Sequence, residues 1–142
     1  MSWLPKQTVV VPVDFSEESF AAVDTALEMV ESAAHVHIIH VLPVLAAAEP
    51  GLVWDTLSDE TRRENARRRI QEYVSDRPHQ GCRVAVELGD PGSEIAAFAE
   101  SVSADLIVLP SHGRTGLSRL LIGSVAERVC RLAHCPVLVL RQ

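Results

Sequence analysis

The chain has 142 residues, of which 47% are hydrophobic, and a formal net charge of −6. This length suits one domain, the composition excludes a disordered chain, and the acidic balance argues against binding to nucleic-acid phosphates. The apolar runs are too short to cross a bilayer, and the first residues lack a secretory pattern. We therefore expect a single cytoplasmic domain over residues 1–142, with neither a membrane nor a nucleic acid as its partner.

Lys6 is the only lysine of the chain. A P-loop, a protein-kinase phosphate site and a Schiff-base site each need a lysine elsewhere in the domain, so the sequence excludes these classes. The three cysteines lack the spacing of a zinc site, and we expect reduced thiols at Cys82, Cys130 and Cys135.

Strand-like and helix-like segments alternate along the chain. Apolar, β-branched runs predict strands, and apolar residues at helical spacing predict the helices between them. The predicted strands are residues 8–13, 35–41, 83–88, 105–109 and 136–140. The predicted helices begin at the capping residues Ser16, Ser58, Asp90 and Ser124. The second helix is predicted to reach about Asp76, before Pro78 and Gly81 end it, and residues 46–57 are predicted to form a loop or a broken helix.

This alternation predicts an α/β fold, in which an open parallel sheet carries helices on both faces. Ligands bind such sheets beyond the carboxyl ends of the strands, where the strand order reverses. Asp14 follows the first predicted strand, and a glycine-containing segment beginning at Pro110 follows the fourth. If these two strands are neighbours, Asp14 and that segment meet at one site.

The segment from Pro110 to Ser124 has the features of an anion site. Its glycines let the main chain approach a ligand closely, and they are Gly113, Gly116 and Gly123. Ser124 and Glu127 have capping-box spacing, and a helix beginning there offers amides to phosphate. Residues 111–142 carry five arginines and one acid, a balance of +4 that suits a small anion. A glycine-rich loop that simply closes on a capped helix explains the same spacing equally well.

The opening VVVPVDFSEES and the closing LIVLPSHGRTGLSRLLIGSVAERVCRLAHCPVLVLR resemble the universal stress protein family. Its ATP-binding members carry G-x-x-G, nine residues and then G-[ST], and here Gly113 is followed by nine residues and then by Gly123 and Ser124. Pro110 departs from this pattern because it replaces the first glycine and has no amide hydrogen. The resemblance covers nearly the whole chain. It implies a Rossmann-like domain, similar to the adenine nucleotide α-hydrolases, with five strands in the order 3-2-1-4-5.

The resemblance implies that the ligand is ATP, ADP or AMP, with any magnesium held on phosphate oxygens. It implies that Asp14 lies beside the nucleotide, at the ribose or a metal-bound group, that Pro12 and Val13 line the pocket, and that the backbone of Val41 meets the adenine edge. The residues alone are equally consistent with an Asp14 that only caps the following turn. The remaining implied binding residues border the loop or hold phosphates, and they are Pro110, Ser111, Gly113, Arg114, Gly123, Ser124 and Val125. A homodimer formed through the C-terminal strand, Pro136 to Leu140, is also implied.

The leading interpretation is a nucleotide-binding sensor or regulator of a stress response. One alternative is a slow ATPase that uses the same pocket. The sequence shows no arranged pair of nucleophile and base, so we predict no catalytic residue, and we predict no metal ligand. The other alternative is a dimeric interaction module without nucleotide, in which Pro110 marks a lost site.

Overall fold

The computed structural model describes residues 2–44, 58–111 and 122–141. The strands of this part are β1 (Val9–Pro12), β2 (Val36–Leu42), β3 (Arg83–Leu88), β4 (Leu106–Pro110) and β5 (Val137–Leu140). Its α-helices are α1 (Glu17–Leu27), α2 (Asp59–Tyr73), α3 (Pro91–Ser101) and α4 (Ser124–Leu132). A short 3-10 turn, Ala33–His35, leads into β2. The loop or broken helix predicted for residues 46–57 lies outside the described residues.

All five strands pair in parallel, in the order β3-β2-β1-β4-β5, and the predicted strand order is confirmed. β1 pairs with β2 along its whole length, from Val9 to Pro12. With β4 it pairs at Val9 and Val10. The order reverses between β1 and β4, which is where a parallel sheet forms a crevice beyond its carboxyl edge.

The core lies in two layers, one on each face of the sheet, because successive strand residues point to opposite sides. Val9 and Val11 pack with α1 and α2, whereas Val10 packs with α3 and α4. These three valines are fully buried, as the continuous β-branched run predicts. Burial of each such side chain contributes about 1.5–3 kcal/mol to folding. The helices on both faces are therefore confirmed.

Several strand and helix bounds differ from the sequence prediction by one to three residues. α2 ends at Tyr73, where the Val74 amide closes the last turn, and not near Asp76 as predicted. β4 begins at Leu106, one residue later than predicted, directly after Asp105. Its carboxylate accepts the amides of Gln7 and Thr8 at 2.9 and 3.0 Å and thereby ties the start of β1 to that of β4.

Candidate functional site

The turn between β1 and α1 is built around the Asp14 carboxylate. Its Oδ1 accepts hydrogen bonds from the Ser16 amide, at 3.1 Å, and from the Ser16 hydroxyl. The Ser16 hydroxyl also accepts the Ser19 amide at 3.1 Å, so Ser16 is the N-cap of α1, as predicted. The buried Ser19 hydroxyl accepts the Asp14 amide at 3.3 Å. Asp14 is thus fixed just beyond the carboxyl end of β1.

Three further predicted residues lie at the same edge of the sheet. Pro12 is half-buried and ends β1. Val13 is buried, and its amide donates to the Ile39 carbonyl at 2.8 Å, which continues the contact with β2 beyond the strand. Val41 lies near the end of β2, on the face that packs with α3 and α4. The structure therefore places these residues beside Asp14 along the ends of two paired strands.

The end of β4 is fastened to the start of α4. Pro110 is buried as the last residue of β4. The amide of Ser111 donates to the Leu140 carbonyl at 2.8 Å, and the amide of Gly123 donates to the Ser111 carbonyl at 2.6 Å. Both amides are thus used within the protein.

The predicted capping box at the start of α4 is wrong. Gly123 is the N-cap, without a side-chain hydrogen bond, and Ser124 is already helical. The Glu127 amide donates to the Gly123 carbonyl at 2.9 Å, while the Glu127 carboxylate pairs one turn forward with Arg131. The amides of Ser124 and Val125 precede the first hydrogen bond of the helix and lie at its positive end. Both residues are exposed.

Several predicted loop residues lie outside the described part of the chain. They are Gly113, Arg114 and Gly116. Their roles stay predictions. The described site therefore consists of the ends of β1, β2 and β4 and the start of α4.

A cleft of about 400 Å³ lies between the starts of α3 and α4. Its lining residues are Asp90, Pro91, Gly92, Ser124, Val125, Glu127, Arg128 and Arg131. Arg128 crosses this cleft, and its Nε lies 3.0 Å from Asp90 Oδ2 and 3.3 Å from Ser93 Oγ. A Cβ on Gly92 would approach the Arg128 side chain to 2.7 Å, so this crossing requires glycine.

Sequence reasoning missed the Arg128 contact, since the run Asp90-Pro91 indicated only a helix start. That part of the prediction is confirmed, because the Asp90 side chain accepts the Ser93 amide and Pro91 opens α3. Hydrogen bonds from Ser93 hold the pKa of Asp90 below its ordinary value, and the charge of Arg128 acts in the same direction. Asp90 therefore stays ionised beside the start of α4.

His35 and Cys82, which could in principle serve as a ligand or a nucleophile, are engaged in the fold itself. His35 Nδ1 lies 2.7 Å from the Gln7 carbonyl, and Cys82 is buried, which raises the pKa of its thiol to about 11.

Within residues 2–44, 58–111 and 122–141, no three His, Cys, Asp or Glu side chains gather as a metal site. None of the helices in those ranges is both long and apolar enough to span a membrane.

The family model described as "Universal stress protein family" matches residues 6–141. The chain belongs to the universal stress protein family. Among its relatives, the universal stress protein MJ0531 of Methanocaldococcus jannaschii is 37% identical over 140 residues, covering 94% of this chain and 81% of the relative. The universal stress protein YxiE of Bacillus subtilis is 29% identical and covers 94% and 97% of the two chains.

Solved structures of this family share the fold. The structure of MJ0577 from Methanocaldococcus jannaschii superposes with a TM-score of 0.75 at 27% identity, over 98% of both chains. A universal stress protein in complex with cAMP superposes with a TM-score of 0.68 at 25% identity, over 96% of this chain and 97% of the other. The Rossmann-like architecture is therefore shared along nearly the whole chain.

Proposed function

We propose that this universal stress protein binds ATP or a related adenine nucleotide between the carboxyl ends of β1 and β4, and so acts as a sensor or regulator in a stress response. The observation that carries the proposal is the start of α4. There, Ser124 and Val125 present exposed first-turn amides on a helix without a side-chain cap. Helix starts of this kind accept phosphate through their amides and dipole. The cAMP complex of a structural neighbour supports an adenine nucleotide as the ligand.

Each end of the ligand has a proposed set of contacts. Asp14, oriented by Ser16, contacts the ribose, and the adenine end lies along Pro12, Val13 and Val41. The phosphate end is bordered or held by Pro110, Ser111, Gly113, Arg114, Gly123, Ser124 and Val125. Because the amides of Ser111 and Gly123 are bonded within the protein, we expect Ser124 and Val125 to donate main-chain hydrogen bonds to phosphate. Any magnesium is carried on phosphate oxygens, since that ion keeps much of its water shell.

We further propose that the protein is a cytoplasmic homodimer that pairs through β5. β5 follows β4 at the edge of the sheet, and its four residues are apolar and half-buried. Such an edge exposes unpaired main-chain groups, which a two-fold copy of the same strand covers. Sedimentation should therefore give the mass of a dimer. The Leu140 carbonyl accepts the Ser111 amide on the β4 side of the strand, so the main-chain groups of the preceding residue, Val139, face the opposite side. Val139→Pro should therefore give a monomer.

Equilibrium dialysis with labelled ATP and magnesium tests the nucleotide proposal. We expect saturable binding that Asp14→Asn weakens, because the contact to the ribose is altered. Glu17→Gln is the matched control, since it removes a neighbouring exposed carboxylate from the first turn of α1. Absence of saturable binding at millimolar ATP would contradict the proposal. Mass spectrometry of any nucleotide released on denaturation distinguishes ATP, ADP and AMP.

A dimeric interaction module without nucleotide is the second candidate. It is favoured by Pro110, which is buried in β4 and has no amide hydrogen to offer. The internal hydrogen bonds of the Ser111 and Gly123 amides favour it as well. An endogenous nucleotide released from the purified protein in stoichiometric amount would exclude this candidate.

A further inference from the structure

Phe15 adopts a backbone conformation that phenylalanine rarely takes. It follows Asp14 directly, and its φ of 67° lies in the left-handed region. For a bulky side chain this region costs free energy that glycine would not incur. Contacts of the phenyl ring must offset that cost, because the conformation persists only when the surroundings enforce it.

The Phe15 ring is held by three different elements of the fold. Its centroid lies 4.6 Å from that of the His40 ring on β2 and 6.2 Å from that of the Phe20 ring on α1. The guanidinium carbon of Arg69 on α2 lies 3.7 Å from the same centroid. A cation over an aromatic face is attracted by the ring quadrupole. β2, α1 and α2 therefore meet on one residue of the β1–α1 turn.

The same neighbours fix the main chain on both sides of Asp14. His40 Nδ1 donates to the Val13 carbonyl at 2.7 Å, since a carbonyl can only accept. The Asp14 amide donates to Ser19 Oγ, and the Ser16 amide donates to the Asp14 carboxylate. The left-handed residue between Asp14 and Ser16 turns the chain so that these contacts form together.

We propose that Phe15 is a positioning residue for the Asp14 carboxylate, and that Arg69 and His40 hold its ring and thereby fix the turn. This inference rests on the proposed nucleotide function. It makes α2 a supporting element of the ligand site, although Arg69 itself acts through Phe15. Its neighbour Arg68 is exposed as well and serves as the matched comparison.

A double-mutant cycle between Phe15 and Asp14 tests the inference, with ATP and magnesium as the probe in equilibrium dialysis. We expect Phe15→Ala to weaken ATP binding about tenfold in the presence of Asp14 and to have no further effect in Asp14→Asn, because Phe15 acts through that carboxylate. Phe98→Ala is the matched control. Its ring packs on His37 at 5.9 Å on the other face of the sheet, so it should lower the melting temperature but not the affinity.

A second cycle leaves the ring in place and applies even if Phe15→Ala does not fold. Arg69→Gln should weaken ATP binding about fivefold, Arg69→Lys should restore most of it, and Arg68→Gln should change nothing. The Arg69→Gln effect should also vanish in Asp14→Asn. If the wild type binds ATP but the effects in both cycles add, the positioning role is overturned and the nucleotide function stands. If the wild type binds no ATP, both proposals fall.

Discussion

Among the helices that begin at the carboxyl edge of the sheet, α1 after β1 and α4 after β4 differ in how their first amides are bonded. α1 has a side-chain cap, since the Ser16 hydroxyl accepts the Ser19 amide. α4 begins after Gly123, which has no side chain to offer, and its first-turn acid, Glu127, pairs forward with Arg131. The start of α1 is completed by the side chain of its N-cap residue, whereas Gly123, the N-cap residue of α4, makes no side-chain hydrogen bond.

The two other helices follow the pattern of α1. Ser58 caps α2 by accepting the Thr61 amide, and Asp90 caps α3 by accepting the Ser93 amide. Among these four described helices, α4 is the one whose N-cap residue makes no side-chain hydrogen bond, so its first turn is where we expect an external acceptor to bind. The missing cap, more than the number of glycines, distinguishes the α4 start as the phosphate end of the proposed site.

The largest expected effect comes from giving α4 an anion of its own. Ser124→Asp places a carboxylate in the first turn, where it occupies the positive end of the helix and repels phosphate. ATP affinity should fall about 100-fold, whereas the free energy of unfolding should rise by about 0.3–1 kcal/mol because the charge complements the dipole. Dialysis and urea denaturation measure the two changes.

Ser124→Asn is the control for this experiment, because it has a similar shape without the charge. It should bind ATP within about twofold of the wild type, since the main-chain donors are unchanged. An equal loss of affinity in both variants would mean that the serine hydroxyl, and not the helix end, holds the ligand. An unaltered affinity in Ser124→Asp would place the phosphate elsewhere.

A smaller effect, on the free energy of unfolding, should distinguish α1, which has a side-chain cap, from α4, whose N-cap residue provides none. Ser16→Ala removes both the cap of α1 and a partner of the Asp14 carboxylate, so the free energy of unfolding should fall by about 1 kcal/mol. Ser124→Ala removes no cap and should change the free energy of unfolding by less than about 0.5 kcal/mol. Urea denaturation of both variants measures the difference. Equal losses would show that Ser124 caps α4 after all.

Much of the fold is readable from local sequence. The β-branched run of Val9, Val10 and Val11 identifies a strand buried on both faces, and Asp90-Pro91 marks the start of α3. The edge at which Asp14 lies follows from strand polarity alone. These features succeed because the interactions that decide them are local, or depend only on the alternation of strands and helices.

The site is less readable because distant contacts decide it. Ser124 and Glu127 fit a capping box by spacing, yet the hydrogen bond from Gly123 to Ser111 moves the cap one residue earlier. No local pattern signals that bond. The same holds for Arg69 on the Phe15 ring, since α2 and the β1–α1 turn are brought together only by the packing of the sheet.

The smallest expected effect is on the pH dependence of stability and concerns His40, whose ring packs against Phe15 after the end of β1. Burial lowers the pKa of His40 and the charge of Arg69 adds to this, while the hydrogen bond to the Val13 carbonyl and the charge of Asp14 oppose it. The unfolded chain therefore takes up a proton more readily, near the ordinary pKa of 6.5. The contribution to stability is present above that pH and is lost as the pH falls from there through the lowered pKa.

His40→Asn, which cannot titrate, should flatten this fall in the free energy of unfolding, as measured by urea denaturation between about pH 5 and 8. Some slope should remain, because burial and the charge of Arg83 also lower the pKa of His37 on the opposite face. His37→Asn should remove that part without altering ATP affinity. A pH profile identical to that of the wild type in His40→Asn would mean that His40 is not desolvated behind Phe15, and would weaken the link between the β1 turn and its supporting ring.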